Sequence, residues 1–318
     1  MQFKQELAIV KPEKETLLSI GVFDGVHLGH QRLLAHLRDE AKKKGWLSGV
    51  VTFKSHPEVV LSHARGLKWL SDVDARATMI RDLGIDIVVP LTFTSELAKI
   101  TGREFVQLLQ QYLKMHGLIV GPDFALGRNR DGDIDRLRLM GREMGFSVEV
   151  IPPVVMNGEV ISSSAIRQAL TQGDIEKVQR FFGRPFTLSG QVVLGDKRGR
   201  VLGFPTANME VKPDQAVPGD GIYVTLARVG GAWLPSVTNI GLRPTFGGKK
   251  RLVETYILNF DGDLYGKRLE VKLLGKLRDE KRFDTAEELK TQMRADAKQA
   301  GSIIDKQLKN KESEPRYG

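Results

Sequence analysis

Hydrophobic positions in the first half of the chain alternate between short continuous runs and amphipathic stretches. Runs such as "LLSIGVF", "LSGVVTF" and "IDIVVPL" are followed by stretches such as "QRLLAHLRDEAKKKG" and "ARATMIRDLG". Unbroken Val, Ile and Leu runs are typical of strands covered on both faces, and apolar positions with a period of about 3.6 residues indicate helices. From Leu17 to about Phe182 the pattern therefore predicts an α/β domain with a parallel sheet.

The second half of the chain has a different pattern. Short alternating runs such as "LSGQVVLGDKRG", "GIYVTLARVGGAW" and "VETYILNFDGDLYG" are divided by Gly, Pro and Asp, which is typical of antiparallel strands in a barrel. A final stretch, "TAEELKTQMRADAKQAGSIIDKQLKN", predicts a C-terminal helix in which Thr285 and Glu288 form a capping box. We therefore predict two domains, residues 1–183 and 184–318.

Composition narrows the class of protein further. With 318 residues, 41% hydrophobic and 27% charged, the chain has the composition of a globular protein, and it has no apolar run of the ~20 residues that a membrane helix requires. The absence of Cys excludes disulfides and thiolate metal sites, and the charged N-terminus does not resemble a signal peptide, so we expect a cytoplasmic protein. A net charge of +9 favours anionic partners but does not choose among nucleic acid, membrane surfaces and phosphorylated metabolites.

A first candidate site follows the first predicted strand. In "GVFDGVHLGH" a DG turn leads into the helix "HQRLLAHLRDE", which puts His27 and His30 at the helix N-terminus. Free N–H groups and the helix dipole favour anions there, and Gly29 leaves room for a nucleotide near the backbone. Both imidazoles can then donate hydrogen bonds to one phosphate. The alternative is a tight turn with two polar capping histidines.

Two later stretches offer supporting groups. In "ISSSAIRQAL", Ser162, Ser163 and Ser164 can cap another helix, with Arg167 in its first turn beside a bound anion. In the loop "GPDFALGRNRDGD", Asp123 can hold a hydroxyl or amide of a ligand. The alternatives are ordinary helix capping for the serines, an ion pair with a carboxylate for Arg167, and a solvated connecting loop for the segment that contains Asp123.

A second candidate site lies in "GDKRGRVLGFPTANME". The string is not a Walker A loop, but glycines among cations can wrap a polyphosphate. On an extended chain Thr206 and Asn208 point the same way, and two neutral oxygens on one face can help to hold Mg²⁺. A hairpin loop followed by an edge-strand proline is the alternative.

These motifs together resemble a known family. "GVFDGVHLGH", "GPDFALG" and "ISSSAIR" resemble the FMN adenylyltransferase module of bacterial bifunctional riboflavin kinase/FAD synthetases, within the nucleotidyltransferase superfamily. "GRVLGFPTAN", "NIGLRPTF" and "LRDEKRF" resemble the riboflavin kinase module of the same enzymes. The resemblance implies a Rossmann-like first domain and a riboflavin kinase-like barrel, with riboflavin, FMN and ATP as substrates, Mg²⁺ as cofactor, and FMN and FAD as products.

The resemblance also implies roles for individual residues. His27, His30 and Arg167 would neutralise charge during adenylylation of FMN, and Glu254 would be the general base of riboflavin phosphorylation. Other matching positions would bind nucleotide or flavin: Gly21, Phe23, Asp24, Gly25, Gly29, Asp123, Ser162, Ser163 and Ser164 in the first domain, and Gly195, Lys197, Arg200, Gly203, Pro205, Arg278 and Phe283 in the second. Thr206 and Asn208 would hold the metal.

One residue departs from the family motif, and two alternative functions are consistent with the sequence. The family commonly shows "TFDPHP" where this chain has "TFKSHP", so Lys54 replaces an acidic residue near the expected substrate pocket. A first rival is therefore an enzyme that retains riboflavin kinase activity alone. A second is a basic RNA-binding protein, although the cations are dispersed and the aromatic fraction is 7%, so we expect no nucleic-acid partner and no membrane partner.

Overall fold

The structure is a computed structural model that describes residues 2–58, 67–195, 199, 202–245 and 248–313, without the side chains of residues 243–250 and 308–313. The chain divides into two compact units, Met1–Ala165 and Ile166–Gly318. The helices are α1 Gln2–Ile9, α2 Leu28–Lys44, α3 Val73–Asp82, α4 Gly102–Leu113, α5 Ile134–Met144, α6 Ser163–Gln172, α7 Ile175–Phe182 and α8 Ala286–Ser313.

The strands of the first unit are β1 Thr16–Ile20, β2 Leu47–Phe53, β3 Ile87–Leu91, β4 Met115–Val120, β5 Ala125–Leu126, β6 Gly132–Asp133, β7 Ser147–Val150, β8 Val155–Met156 and β9 Glu159–Val160. Within the described residues, five of them form a parallel sheet in the order β3-β2-β1-β4-β7. Successive residues of a strand point to opposite faces. Leu18 and Val51 accordingly join one apolar core and Leu17 and Val50 another, so both faces of the sheet are covered, which confirms the predicted parallel α/β fold.

The strand order locates a ligand-binding crevice. The chain builds β2 and β3 on one side of β1, and β4 and β7 on the other, so the order reverses between β1 and β4. In sheets of this kind ligands bind beyond the carboxyl ends of the strands at the reversal. The predicted "GVFDGVHLGH" and "GPDFALG" segments follow β1 and β4 directly, at that crevice.

The second unit contains β10 Phe186–Val193, β11 Thr206–Glu210, β12 Gly221–Val229, β13 Ala232–Thr245, β14 Gly248–Ile257 and β15 Arg268–Arg278. Over its described part these six antiparallel strands close into a barrel, in the order β10-β11-β14-β13-β12-β15, as the pattern predicts. Helix α8 packs Ala300 and Ile304 against Val224 on the outside of the barrel. Half of the capping box predicted at the start of α8 is present, because the Thr285 hydroxyl accepts a hydrogen bond from the backbone N–H of Glu288 at 3.2 Å. The other half differs: the Glu288 carboxylate accepts from the backbone N–H of Asp284 and not from that of Thr285.

The predicted domain boundary at Gly183 stays a prediction. The two compact units of the structure are divided at a different place, within α6 after Ala165. Helix α1 is an element that the pattern did not predict, and its Phe3 and Leu7 are fully buried. Over the described part of the chain, every helix is too short or too polar to cross a membrane.

Candidate active sites

The turn between β1 and α2 has an unusual backbone. Phe23, Gly25 and Val26 have φ angles of 51°, 78° and 44°, in the left-handed region. This region is strained for a β-branched residue such as Val26, and such strain persists only where the surrounding structure imposes it. The turn that carries the first motif is therefore held in a defined shape.

Asp24 is the residue that holds this turn. Its carboxylate is almost fully buried and accepts hydrogen bonds from the backbone N–H groups of Leu70 (3.0 Å) and Ser71 (3.1 Å). The Ser163 hydroxyl donates to the backbone oxygen of Asp24 at 3.0 Å. Asp24 thus fixes the turn to two segments that are distant in sequence, and its predicted contact with a nucleotide stays a prediction.

His27 and His30 lie together at the start of α2. Their rings stack with centroids 3.6 Å apart and planes 19° apart. His27 is the N-cap residue, and its Nδ1 accepts from the backbone N–H of His30 at 3.3 Å, so a neutral His27 carries its proton on Nε2. A Cβ on Gly29 would lie 3.1 Å from the His27 ring, so a side chain there would crowd that imidazole. The predicted pairing of the two imidazoles on one helix turn is present.

His30 is electrostatically unusual. Burial lowers its pKa well below the usual value of 6.5, and the charges of His27 and Arg76 lower that pKa further. Its Nδ1 is buried and has no hydrogen-bond partner among the described residues. At neutral pH His30 is therefore an uncharged imidazole, which can donate a single hydrogen bond.

Arg76 is a buried cation that the sequence analysis missed. Its side chain, on α3, is fully buried, lies 4.8 Å from the Trp69 ring centroid, and donates from Nη2 to the Phe53 carbonyl oxygen at 2.6 Å. Its Nε and Nη1 have no hydrogen-bond partner within the described residues. In the sequence Arg76 is one basic residue of an ordinary amphipathic stretch, so no local signal marks it.

The serine-rich segment has divided roles. Ser162 accepts a hydrogen bond from the N–H of Ala165 at 3.2 Å, as a capping residue does, and Ser164 is exposed. Because α6 begins at Ser163, Arg167 is its fifth residue and lies in the second turn. The expectation that Arg167 lies in the first turn is therefore wrong, and its predicted contact with phosphate stays a prediction.

The remaining residues of the first motif set are in loops. Asp123 is exposed after β4, and its carbonyl oxygen accepts from Arg130 at 2.8 Å. Gly21 packs beneath the Phe23 ring. Lys54, the departure from the family motif, donates to Glu6 of α1 at 2.8 Å, and Glu6 also accepts from the backbone N–H of Thr92 at 2.7 Å. Lys54 thus anchors the N-terminal helix to the end of β2.

The second site is a single row of side chains across the barrel. Directly opposed residues of antiparallel strands lie on the same face. The strand register opposes Asn208 to Glu254, Glu254 to Asn239, Asn239 to Ile222 and Ile222 to Arg278. The row therefore places the predicted metal ligand Asn208, the predicted base Glu254 and the predicted flavin contact Arg278 on one face of the barrel.

Adjoining cavities lie along this row. A cavity of about 840 Å³ is lined by Glu254, Asn239, Arg278 and Phe283, among others. A smaller one of about 450 Å³ is lined by Gly195, Pro205 and Asn208 and by the loop 260–265. Thr206 lines both cavities. Small-molecule sites have volumes of about 300–1,000 Å³, so each cavity is large enough for a substrate.

Gly195 and Pro205, before β11, form part of the wall of the smaller cavity. A Cβ on Gly195 would collide with the Asn208 amide, so any other residue there would displace the Asn208 side chain. Gly203 has a φ of 85° in the turn before Pro205. Lys197 and Arg200 lie outside the described residues. Within the described chain no cluster of three or more His, Asp or Glu residues is arranged to hold a metal ion.

Thr206 and Asn208 are separated by one residue on β11 and so share a face, as predicted. Neutral oxygens suit Mg²⁺, which keeps several waters and substrate phosphates as ligands. The two residues therefore fit the predicted metal.

Arg278 is held by a buried acid. Its guanidinium donates to both carboxylate oxygens of Asp296 on α8, at 3.0 and 2.7 Å. This ion pair fixes Arg278 in the wall of the larger cavity. Phe283 lines the same cavity, and flavin contact by both residues stays a prediction.

Comparison with known proteins agrees with both motif sets. Residues 9–165 match the FAD synthetase family and residues 182–304 the riboflavin kinase family. The chain is 39% identical to the bifunctional riboflavin kinase/FMN adenylyltransferase of Pseudomonas fluorescens over 95% of this chain and 98% of the relative. It is 36% identical to the enzyme of the same name from Escherichia coli K12 over 90% of this chain and 91% of that one.

A solved structure is similar over the whole length. A crystal structure described as a macrolide-efflux protein from Streptococcus pneumoniae superposes with a TM-score of 0.85, at 26% identity, over 94% of this chain and 96% of that one. The description as a macrolide-efflux protein is that of the Streptococcus pneumoniae protein and not of this chain. The matched domains use ATP as co-substrate and yield FMN and FAD. With both domains present in one chain and the parallel sheet and barrel that house them, the protein belongs to the family of bifunctional riboflavin kinase/FMN adenylyltransferases.

Proposed function

We propose that Glu254 performs the chemistry of riboflavin phosphorylation. The single observation that carries the proposal is the position of Glu254, between Asn208 and Asn239, in a cavity that adjoins a second one at Thr206. The carboxylate removes the proton of the ribityl 5′-hydroxyl while its oxygen attacks the γ-phosphorus of ATP. The O–P bond of FMN forms, the bond to the bridging oxygen breaks, and ADP leaves with the electron pair.

We further propose that Thr206 and Asn208 hold Mg²⁺ on the nucleotide side of Glu254. When bound, the ion neutralises phosphate charge. Thr206 and Asn208 orient the phosphates towards the larger cavity, and the glycine at position 195 keeps room beside Asn208 for them. Positioning and charge neutralisation account for most of the catalysis in phosphoryl transfer.

For the first unit we propose adenylyl transfer without a general base. An FMN phosphate oxygen is already an anion, and it attacks the α-phosphorus of ATP as pyrophosphate leaves. His27 donates from Nε2, and His30 donates as a neutral imidazole. The buried charge of Arg76, which acts on His30 electrostatically, stabilises the negative charge that accumulates on the phosphates.

A time course tests the whole proposal. The purified protein is incubated with riboflavin, ATP and Mg²⁺, and the flavins are separated by chromatography. FMN that appears first and then decreases as FAD accumulates is the expected result. FMN alone would support the single-activity alternative. The absence of any flavin product would contradict the proposal and favour the RNA-binding alternative, which salt-dependent RNA binding would test directly.

We also propose a cytoplasmic location and small-molecule partners only. The absence of Cys and the small-molecule substrates of both matched families support the location and the partners. Tight, strongly salt-dependent binding of RNA by the purified protein would contradict this part of the proposal.

A further inference from the structure

Asn239 has an unusual position in the second site. It is the next residue after Glu254 in the row across the barrel, and it lines the larger cavity. Its Oδ1 atom is buried and has no hydrogen-bond partner within the described residues. A buried acceptor without a partner is costly, so such an atom in the wall of a ligand cavity indicates that a ligand supplies the missing donor.

The order of the row indicates which part of the ligand faces Asn239. Asn208 and the smaller cavity lie on one side of Glu254, and Asn239 lies on the other. Beyond Asn239 the row continues to Ile222 and then to the charged Arg278. The side chains of Ile222, Leu252, Phe283 and Met293 supply the apolar part of the cavity lining, the apolar slot. An apolar slot suits a flat aromatic ring system, and the nucleotide occupies the opposite side.

A riboflavin molecule placed in this cavity has its reactive 5′-hydroxyl at Glu254 and its ring in the apolar slot. The ribityl chain must then run from Glu254 past Asn239. Adjacent strands are about 4.8 Å apart, a span of a few carbon–carbon bonds. The secondary hydroxyls of the chain therefore come within reach of Asn239, whereas the ring does not.

We propose that Asn239 recognises the polyol chain of the flavin, with its Oδ1 accepting a hydrogen bond from a secondary ribityl hydroxyl. The inference rests on the proposed role of Glu254, because that role fixes the end of the chain. A site built to bind a substrate hydroxyl discriminates strongly against an analogue that lacks it, since the buried acceptor is then left unpaired. Asn239 is thus a specificity residue for flavins that carry a polyol.

The test compares two substrates in variants of the full chain. Riboflavin is compared with a flavin that carries a 5-hydroxypentyl chain, which keeps the reactive terminal hydroxyl and lacks the secondary ones. The variants are Asn239→Leu, which keeps the branched shape and the number of side-chain heavy atoms without the acceptor, and Asn239→Ala, which is informative if the variant with the larger leucine does not fold. Val237→Ala is the matched control, because Val237 lies on the same face of β13 and lines the same cavity.

The expected result is a loss of discrimination. We expect kcat/KM for riboflavin to decrease about tenfold in both Asn239 variants, while the value for the hydroxypentyl flavin changes little. Val237→Ala is expected to alter both substrates by similar factors. Quenching of flavin fluorescence on binding should show the same loss of preference without turnover.

Equal losses for both substrates would overturn the inference, because they would indicate that Asn239 acts only by positioning Glu254. An unchanged preference in both variants would overturn it as well. Failure of the wild-type protein to phosphorylate riboflavin would instead contradict the proposed function, so the two failures are distinguishable.

Discussion

The two candidate sites are built in different ways. The site of the first unit is assembled from loops and from the first turns of helices, with a strained turn after β1 that Asp24 links by hydrogen bonds to residues 70–71 and to Ser163. The site of the second unit is a row of side chains on paired strands, whose spacing the backbone hydrogen bonds impose. A loop site depends on a few side-chain hydrogen bonds for its shape, whereas a strand row keeps its shape when one side chain changes.

This difference predicts how each site responds to substitution. In the barrel, replacing a side chain should remove one chemical step and leave the geometry unchanged. In the loop site, electrostatics and shape depend on the same buried groups, so activity and stability should change together.

The largest effect is expected for Glu254→Gln. Loss of the general base should reduce FMN formation by about 10²- to 10⁴-fold, while supplied FMN is still converted to FAD. Separate assays of the two steps measure this difference. Glu270→Gln is the matched control, because Glu270 lies on another strand of the same barrel, β15, and pairs with exposed Arg228. Equal loss of both activities in Glu254→Gln would contradict the independence of the sites.

His30→Ala should give the reverse pattern. Removing one preorganised donor costs about 10²- to 10³-fold in rate, so FAD formation should decrease by that factor while FMN formation is unchanged. His36→Ala is the control on the same helix, since His36 is partly exposed and pairs with Glu149 at 2.7 Å. Undiminished FAD formation in His30→Ala would remove this histidine from the mechanism.

The pH dependence of stability sharpens the comparison. Because the pKa of His30 is depressed in the folded protein, the unfolded chain binds more protons below pH 6.5, and folding opposes that uptake. The free energy of unfolding of the first unit should therefore decrease as pH falls below 6.5, and His30→Ala should make that decrease shallower. Hydrogen exchange in peptides from β1 and β2, followed as a function of pH, measures this free energy of unfolding. An identical pH slope in the variant would contradict the assignment.

Lys54→Met should have the smallest effect. Lys54 is a partly exposed cation that binds Glu6, and pairs of this kind contribute about 0.2–1 kcal/mol to stability. Thermal denaturation should show a small decrease in Tm. Since Lys54 anchors α1, the KM for FMN in FAD formation should not change. A large increase in that KM would instead show that the departure from the family motif acts on the substrate.

Much of the fold followed from local pattern. The alternation of buried runs and amphipathic stretches predicted the parallel sheet, and the change to short alternating runs predicted the barrel. Helix α1 was not predicted because it has only eight residues and a weak hydrophobic pattern. Arg167 was placed one turn too early because helix ends depend on capping contacts such as the one between Ser162 and Ala165.

The sequence by itself determined most of the elements, the motifs and the family, because periodicity and short motifs depend on residues that are close along the chain. Only the tertiary structure decided which distant residues meet. Asn239 is next to Glu254 because of strand register, and the charge of Arg76 on α3 acts on His30 of α2 although the two residues are 46 positions apart in the sequence. Neither contact leaves a local pattern in the sequence, since each joins positions whose separation is fixed by packing and pairing.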